Sequence, residues 1–461
     1  MTGNSLWQRL RGGFRTLIEQ MHQPVDIASL VIFRIGFGYM MLWEVWRYFR
    51  NGWIDKYWIY PKYNFTYLGF DWVKPWPEEI IYYHFAFMGV LAIFIIVGFL
   101  YRISTIIFAF SFTYFFLLEQ TRYLNHFYLT ILIAFLMVLI PAHRCLSVDN
   151  RLGLSKPSNT APAWAVWILQ IQMAIVYFYG GIAKINVDWI LRGEPIRMWL
   201  RDKTDFPIIG GLFSQEPFIW SIVYGGVLFD LLIAPFLFWK RTRLLAFIAA
   251  VGFHLTNAII WKIGIFPWFA IVATTIFFAP NWPRTFFKIP TYKTDPSDTS
   301  EPIWPMKPKM AALNILLIVF TISQLVIPFR HHLYPGPVYW TEEGHQFSWR
   351  MKLRSRRGMT TFFVTDNKTG ELIRIHPEAY LTQGQYETLQ TKPDIILQFV
   401  EILKKEQAKK GRDDIMIRAV STVSINGRPR QILFDPELDL TTVKRSFLHV
   451  PWFAPFDNKL E

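Results

Sequence analysis

Lys184 closes an apolar stretch, Tyr177-Phe-Tyr-Gly-Gly-Ile-Ala-Lys184, with Asp188 and Trp189 just beyond it. An ionisable group at such a place is costly unless its surroundings use it. Two readings fit. The ammonium can snorkel along its methylene stem to a membrane surface. Alternatively burial disfavours the ammonium, nearby Arg192 or Arg201 disfavour it further, and the neutral amine serves as a general base. Asn125-His126 opens a second apolar run, in Tyr123-Leu-Asn-His-Phe-Tyr-Leu129. These side chains either hydrogen-bond within the structure or act as donors that steady a developing oxyanion. His254 and Asn257 lie three residues apart, on one face of a helix. Their bland use is hydrogen bonding between helices. His331 and His332 are adjacent rather than four apart, and Cys145 is the single cysteine, so no metal is expected. The P-loop, the nucleophile elbow and the dinucleotide fingerprint are all missing.

The elements that must position these groups are apolar helices. The chain has 461 residues, 52% of them hydrophobic and 18% charged, against about a quarter charged in soluble domains. Apolar runs recur to residue 328: 27–47, 78–100, 102–118, 127–142, 163–184, 217–239, 243–260, 264–279 and 310–328. They predict a polytopic α-helical membrane protein with about nine spans, because a helix needs about 20 apolar residues to cross the hydrocarbon. The runs at 102–118, 127–142 and 264–279 are short for that task and leave the number open by about one. Only helices are admissible there, since an open sheet would leave backbone groups unpaired in lipid. The 42 Phe, 20 Tyr and 20 Trp suit the membrane–water interface.

Three segments follow: a basic cytoplasmic stretch at 1–26 with no cleavable signal peptide, a membrane domain at 27–328, and an extramembrane β-rich or α+β domain at 329–461. Residues 281–309 read as a connector. In the last segment Thr360–Thr365 alternates as a strand, Asn367-Lys-Thr-Gly370 turns, and Glu371–Ile375 returns. Ile395–Lys409 reads as a helix, and Met416–Ile425, Asn426-Gly427 and Gln431–Phe434 as a second hairpin. Loop charge groups the N-terminus, Arg144, Arg151, Lys156 and Lys240-Arg-Thr-Arg243 on one side, taken as cytoplasmic. Asn125-His126, Lys184–Arg201, Lys262 and the last domain then share the other side. The net charge of +14 is assigned to loops and membrane lipids rather than nucleic acid, for which no motif is present.

Taken together, these segments resemble the vitamin K-dependent γ-glutamyl carboxylase family. The resemblance runs from Pro24-Val-Asp-Ile-Ala-Ser29 to Asp435-Pro436. It is carried by the order and spacing of Tyr101-Arg-Ile-Ser104, Leu124-Asn-His-Phe-Tyr128, Ser147-Val-Asp149, Ile175-Val-Tyr-Phe178 and Gly181-Ile-Ala-Lys-Ile-Asn-Val-Asp-Trp189. His254-Leu-Thr-Asn257, Ile263-Gly-Ile-Phe266, Trp340-Thr341, Ser348-Trp-Arg-Met351, Thr369-Gly-Glu-Leu372 and Phe434-Asp-Pro436 continue it.

What the resemblance implies is γ-carboxylation of glutamate in a protein or peptide, with CO2 as co-substrate. O2-driven epoxidation of a vitamin K hydroquinone, phylloquinol or menaquinol, supplies the drive, because no side-chain base can take a glutamate γ-proton. By the same resemblance Lys184 is the base for the hydroquinone, and Asn125 and His126 serve the later steps. Arg201 would hold a carboxylate. His331, Trp340, His345 and Arg356 fall in the stretch linked to glutamate binding, and His254, Asn257, Phe266 and Met351 in the quinone site. Asn125, His126, Lys184, Arg201, His254 and His331 are expected to converge on one cavity near the non-cytoplasmic face.

The chain departs from the animal enzymes in four ways. Ala183 stands where they have a lysine, and His345 where they have a tyrosine. Their disulfide cysteines and propeptide-binding region have no counterpart. A shorter, prokaryotic homologue is therefore expected, in a bacterial inner membrane with its active site facing the periplasm, partnered by a quinone-reducing enzyme. Two other readings remain open: a quinol oxygenase or epoxidase that does not carboxylate protein, and a non-catalytic membrane receptor on the same fold.

Overall fold

The structure is a computed structural model that describes residues 3–293 and 303–458. An N-terminal helix α1 (Gly3–Met21) leads into a short strand β1 (Pro24–Asp26), which starts the membrane region. Helix α2 (Ala28–Arg50) follows, with the Asp26 carboxylate accepting from the Ala28 N–H at 2.8 Å. Helices α3 (Glu78–Val97) and α4 (Tyr101–Leu118) form a tight hairpin. Its turn needs Gly98, which has φ of 68° and where a Cβ would lie 2.6 Å from both Arg34 Nη1 and Ser147 Cβ. The fully buried Arg34 donates to the carbonyls of Ala142 and Leu146, at 2.9 and 2.6 Å. Those carbonyls belong to the loop after α5 (Asn125–Leu139). Asp149, on the short α6 (Val148–Arg151), accepts from the N–H groups of Leu100 and Tyr101. One buried arginine and one carboxylate thus tie α2, the α3–α4 turn and this loop together.

Strand β2 (Thr160–Pro162) pairs antiparallel with β1 and opens α7 (Trp164–Lys184). Two short helices come next, α8 (Val187–Arg192) and α9 (Ile196–Arg201). The long helices resume with α10 (Glu216–Phe238), α11 (Arg243–Ile260) and α12 (Phe266–Thr274). After α13 (Trp282–Phe286), the last membrane helix is α14 (Pro308–Val326), extended by a 3-10 stretch to Leu333. Among the described residues seven helices are long and apolar enough to cross a membrane, and two shorter apolar helices, Asn125–Leu139 and Phe266–Phe277, accompany them. Large apolar side chains point outward, as at Phe110, Leu245, Ile315 and Val319, which fits lipid rather than water as the neighbour. Part of the expected connector, residues 294–302, lies outside the described residues.

The C-terminal domain begins with α15 (Val338–Thr341) and has its own core. Its antiparallel sheet comprises β3 (Arg356–Asp366), β4 (Leu372–Ile375), β5 (Ile415–Ile425) and β6 (Gln431–Ile432), in the order β4-β3-β5-β6. Period-two alternation turns Phe362, Val364, Ile417, Ala419 and Val423 inward. Helix α16 (Gln383–Leu389), closed by a capping box at Thr382 and Gln385, precedes α17 (Pro393–Ala408). The latter covers the sheet, with Phe399 edge-on to Phe362 at 5.0 Å.

This domain is seated on the membrane region by buried polar contacts. Asp188 accepts from Arg428 at 2.6 Å and from Asn426 at 2.8 Å. Gln385 donates to the Tyr63 carbonyl at 2.7 Å and to Glu119 at 2.9 Å, and Gln398 donates to Gln120 at 2.9 Å. Removing Arg428 takes away one of the two arginine partners of Asp188, which also pairs with Arg192 at 3.0 Å. Arg428→Ala is therefore expected to destabilise the seating by about 2 kcal/mol, the order of a lost charge-assisted hydrogen bond. Thermal unfolding and limited proteolysis of the full chain in detergent check this, and an unchanged profile would contradict it.

Glu119 makes the seating pH-dependent. Burial lifts its carboxyl to about 6, against the acceptor bonds from Thr121 and Gln385 that favour the ionised form. A folded value above the unfolded one means the folded state binds the extra proton. Stability therefore falls as pH rises from about 4.5 to about 6, by about 2 kcal/mol for this shift. Glu119→Gln should flatten that slope when the two proteins are unfolded side by side across the window.

Candidate functional site

The last turn of α7 carries Gly180 and Gly181, and their lack of side chains lets α10 come close. A Cβ at Gly181 would lie 2.7 Å from Leu231 Cδ2, and one at Gly180 would lie 3.1 Å from Asp230 Oδ2. That approach brings Asp230, a carboxylate inside an apolar 23-residue helix, against Lys184. Lys184 Nζ donates to Asp230 Oδ2 in a short contact and to the Gly180 carbonyl at 3.1 Å. Its ammonium also faces the Trp189 ring, 5.5 Å from the centroid. The two side chains are 9% and 7% exposed, so the pair is buried and each charge is matched by the other.

The pair forms one wall of a cavity of about 120 Å³. Tyr177 of α7, His254 and Asn257 of α11, and Phe266 at the start of α12 line it with Trp189, Trp199 and Trp261. Met351 and Lys352, from the C-terminal domain's approach segment, complete it. Polar atoms are few and ordered. Tyr177 OH lies 2.8 Å from His254 Nε2 and 3.1 Å from Thr274 Oγ1, and Thr274 donates to the Ala270 carbonyl at 2.7 Å. His254 is 1% exposed and its Nδ1 has no partner among the described residues. Such a site suits a flat, largely apolar molecule with one or two oxygens.

Phe266 links this cavity to His126, which does not line it. The His126 ring stacks on Phe266 with centroids 5.9 Å apart, and the His254 ring meets Phe266 edge-to-face, also at 5.9 Å. Asn125 accepts from Tyr123 OH at 2.9 Å and reaches the Arg350 carbonyl at 3.4 Å. The first turn of α5 is thereby tied to the segment that carries Met351.

Upstream and downstream of Met351 lies a cationic cluster. Glu342 accepts from Arg354 at 2.6 Å and from Arg356 at 2.7 Å. Burial would raise its carboxyl, but Arg354, His345, Arg356 and Lys392 outweigh burial and hold it at about 2. Burial lowers Arg350 and Arg356 to about 10 and pushes His345 and Lys392 down. Arg356 Nε and Nη2 and His345 Nδ1 are buried without partners among the described residues. The cations Arg350, Arg354, Arg356 and Lys392 around one carboxylate, with donors to spare, form a place for an anion.

The expected convergence of six residues is met only in part. Lys184 and His254 share the cavity with Asn257, Phe266 and Met351; His126 stacks on Phe266 outside the cavity lining, and Asn125 bonds to the segment that carries Met351. His345 and Arg356 belong to the cationic cluster. His331 bonds through Nδ1 to the Pro328 carbonyl at 2.8 Å, against His332 and beneath Gly344. Trp340 is a core residue of the C-terminal domain, its N–H donating to the Ala454 carbonyl at 2.8 Å. Arg201 is exposed at the end of α9, outside the cavity and the cluster. Sequence reasoning missed Asp230, Tyr177, Thr274, Glu342 and Arg354. A signal existed for Asp230: it is a carboxylate at mid-membrane depth in the 217–239 run.

Among the described residues, no group of three or more His, Cys, Asp or Glu could hold a metal ion. No solved structure matches the chain. Residues 309–459 match the sequence model of the vitamin K-dependent gamma-carboxylase lumenal domain. Residues 22–282, more than half of the chain, match that of the HTTM domain. The chain therefore belongs to the HTTM-domain family and pairs that membrane domain with a lumenal domain of the vitamin K-dependent gamma-carboxylase type.

Proposed function

We propose that this protein is a membrane enzyme that uses a vitamin K hydroquinone, O2 and CO2 to carboxylate glutamate side chains of a protein or peptide. The observation that carries this reading is the cavity beside Lys184, apolar on most of its walls, joined to a lumenal-type domain that brings a cationic cluster next to it.

The residues present fit a quinol ring. Aromatic and methionine side chains would sandwich it, and the unpartnered His254 Nδ1 offers a hydrogen bond to one of its oxygens. When bound, the quinol supplies with O2 the base strength that no side chain has. Lys184 takes the hydroxyl proton at Nζ. Tyr177 and Thr274 fix the His254 ring, and the tryptophan walls exclude water. His126, whose ring stacks on Phe266, and Asn125 act outside the quinol cavity, where the acceptor carbon would lie. Arg356 and Arg354 orient the acceptor carboxylate. The last domain and this site face the periplasm of a bacterial inner membrane in this reading, and a separate enzyme reduces the spent quinone.

One observation favours quinol oxygenation without carboxylation as a second reading: Arg201 lies exposed, away from the cavity. The two readings separate in one experiment. Envelope proteins from the host, with and without this chain, are searched by mass spectrometry for γ-carboxyglutamate, and quinone epoxide is measured in the same membranes. Epoxide with γ-carboxyglutamate supports carboxylation; epoxide alone supports the second reading; neither product overturns both.

A further inference from the structure

Asp230 is the one carboxylate among the described residues lining the cavity, and it contacts Lys184 Nζ directly. The contact raises a chemical problem. An ammonium already paired with a carboxylate has no lone pair, so Lys184 cannot accept a proton unless it gives one away. Phe253, Trp199 and Ile222, which also line the cavity, carry no group that could accept that proton. The remaining acceptor at Nζ is the Gly180 carbonyl, which holds no proton. His254 Nε2 is engaged with Tyr177 OH.

We propose that Asp230 is a positioning residue that also holds the proton: Lys184 accepts a hydroxyl proton from an aromatic ligand in the cavity while passing one to Asp230 Oδ2. This rests on the reading that the cavity takes a hydroxyaromatic ring. The balance closes within the cavity. The O–H bond of the ligand breaks and an N–H bond forms on Nζ, while another N–H bond breaks and an O–H bond forms on Oδ2. The ligand is left as an oxyanion beside the Lys184 ammonium, and Asp230 ends as a neutral acid. No oxidant or reductant takes part, and no proton crosses the wall.

The geometry favours this over simple charge neutralisation. Gly180 leaves Asp230 Oδ2 room against α7, and the Met351 methyl lies over the same glycine, 3.4 Å from where its Cβ would stand. The carboxylate is thus clamped from two sides beside the amine. The other titratable groups on the cavity are Tyr177 and His254, bonded to each other, and Lys352 at its edge.

A naphthol tests the inference, because its absorbance separates neutral from ionised forms without any turnover. Bound to the full chain in detergent at about pH 7, it should be ionised at least about tenfold more than in free solution, one pK unit of stabilisation. Wild-type protein should ionise the naphthol without releasing a proton to a weakly buffered indicator solution, whereas Asp230→Asn, with no carboxylate to hold it, should release about one proton for each naphtholate bound. Asp230→Glu should restore proton retention. Proton release by wild-type protein, or naphtholate binding to Asp230→Asn without it, would overturn the proposal. Should Asp230→Asn fail to fold, infrared difference spectra of the wild-type protein decide: naphthol binding must produce a carboxylic-acid carbonyl band, shifted in Asp230→Glu. Binding without that band overturns proton holding alone, whereas no binding to wild-type protein removes the quinol reading as well.

Discussion

Under the proposed function, Lys184→Ala will lower quinone epoxide and γ-carboxyglutamate together, each by about 10²–10⁴-fold, while the bundle stays folded. General bases contribute rate factors of that order, and a base that starts the sequence takes every later product with it. The fold survives for a local reason. Alanine is the strongest helix former, Lys184 is the last residue of α7, and the buried carboxylate left at Asp230 can be neutralised by a proton. The vacated space opens onto an existing cavity, so a small external amine should enter and restore part of both activities. The measurement is both products from the same membranes, with thermal unfolding as the folding control. Wild-type epoxide formation by a folded Lys184→Ala protein would rule out the base assignment.

Much of the fold is legible because it depends on local pattern. Asn367-Lys-Thr-Gly370 and Asn426-Gly427 are turns by their own chemistry, and β3, β4, β5 and β6 lie where those turns require. Strand β3 begins at Arg356 rather than Thr360, because its first four residues pair with Val423–Ile425 and Thr422 on β5. Nothing in Arg356-Arg-Gly-Met359 announces that partner. The apolar runs likewise mark the membrane helices, but they do not say which face of each meets the others. That information sits in positions such as Gly181, whose role appears only when Leu231 is beside it.

The site was legible by residue type and illegible by partner. Lys184 and His254 could be singled out as polar groups at depth. Their partners, Asp230 and Tyr177, come from 46 residues and 77 residues away in sequence. Trp340 and His345 sit five apart in the chain and serve different places, one in the domain core and one in the cationic cluster, because the left-handed turn at Glu342 separates them. Arg201 shows the converse. A basic residue near a lysine in sequence need not face it, and α9 leaves this one exposed.

His126→Ala should divide the two products. Its ring stacks on Phe266 but is absent from the cavity lining, so the substitution removes a group that does not line the proposed quinol site. Epoxide formation, assigned in the proposed function to Lys184 and the cavity, should stay within a small factor of wild type. Carboxylation should fall by about 10²-fold, the usual loss when one donor to a developing anion is removed. Phe266 then becomes the informative control. Phe266→Ala would remove a wall of the cavity and the ring contacts to both histidines, and should therefore reduce both products. A His126→Ala protein that loses epoxide and γ-carboxyglutamate equally would show that the two histidines serve one step, and the division of labour between them would have to be abandoned.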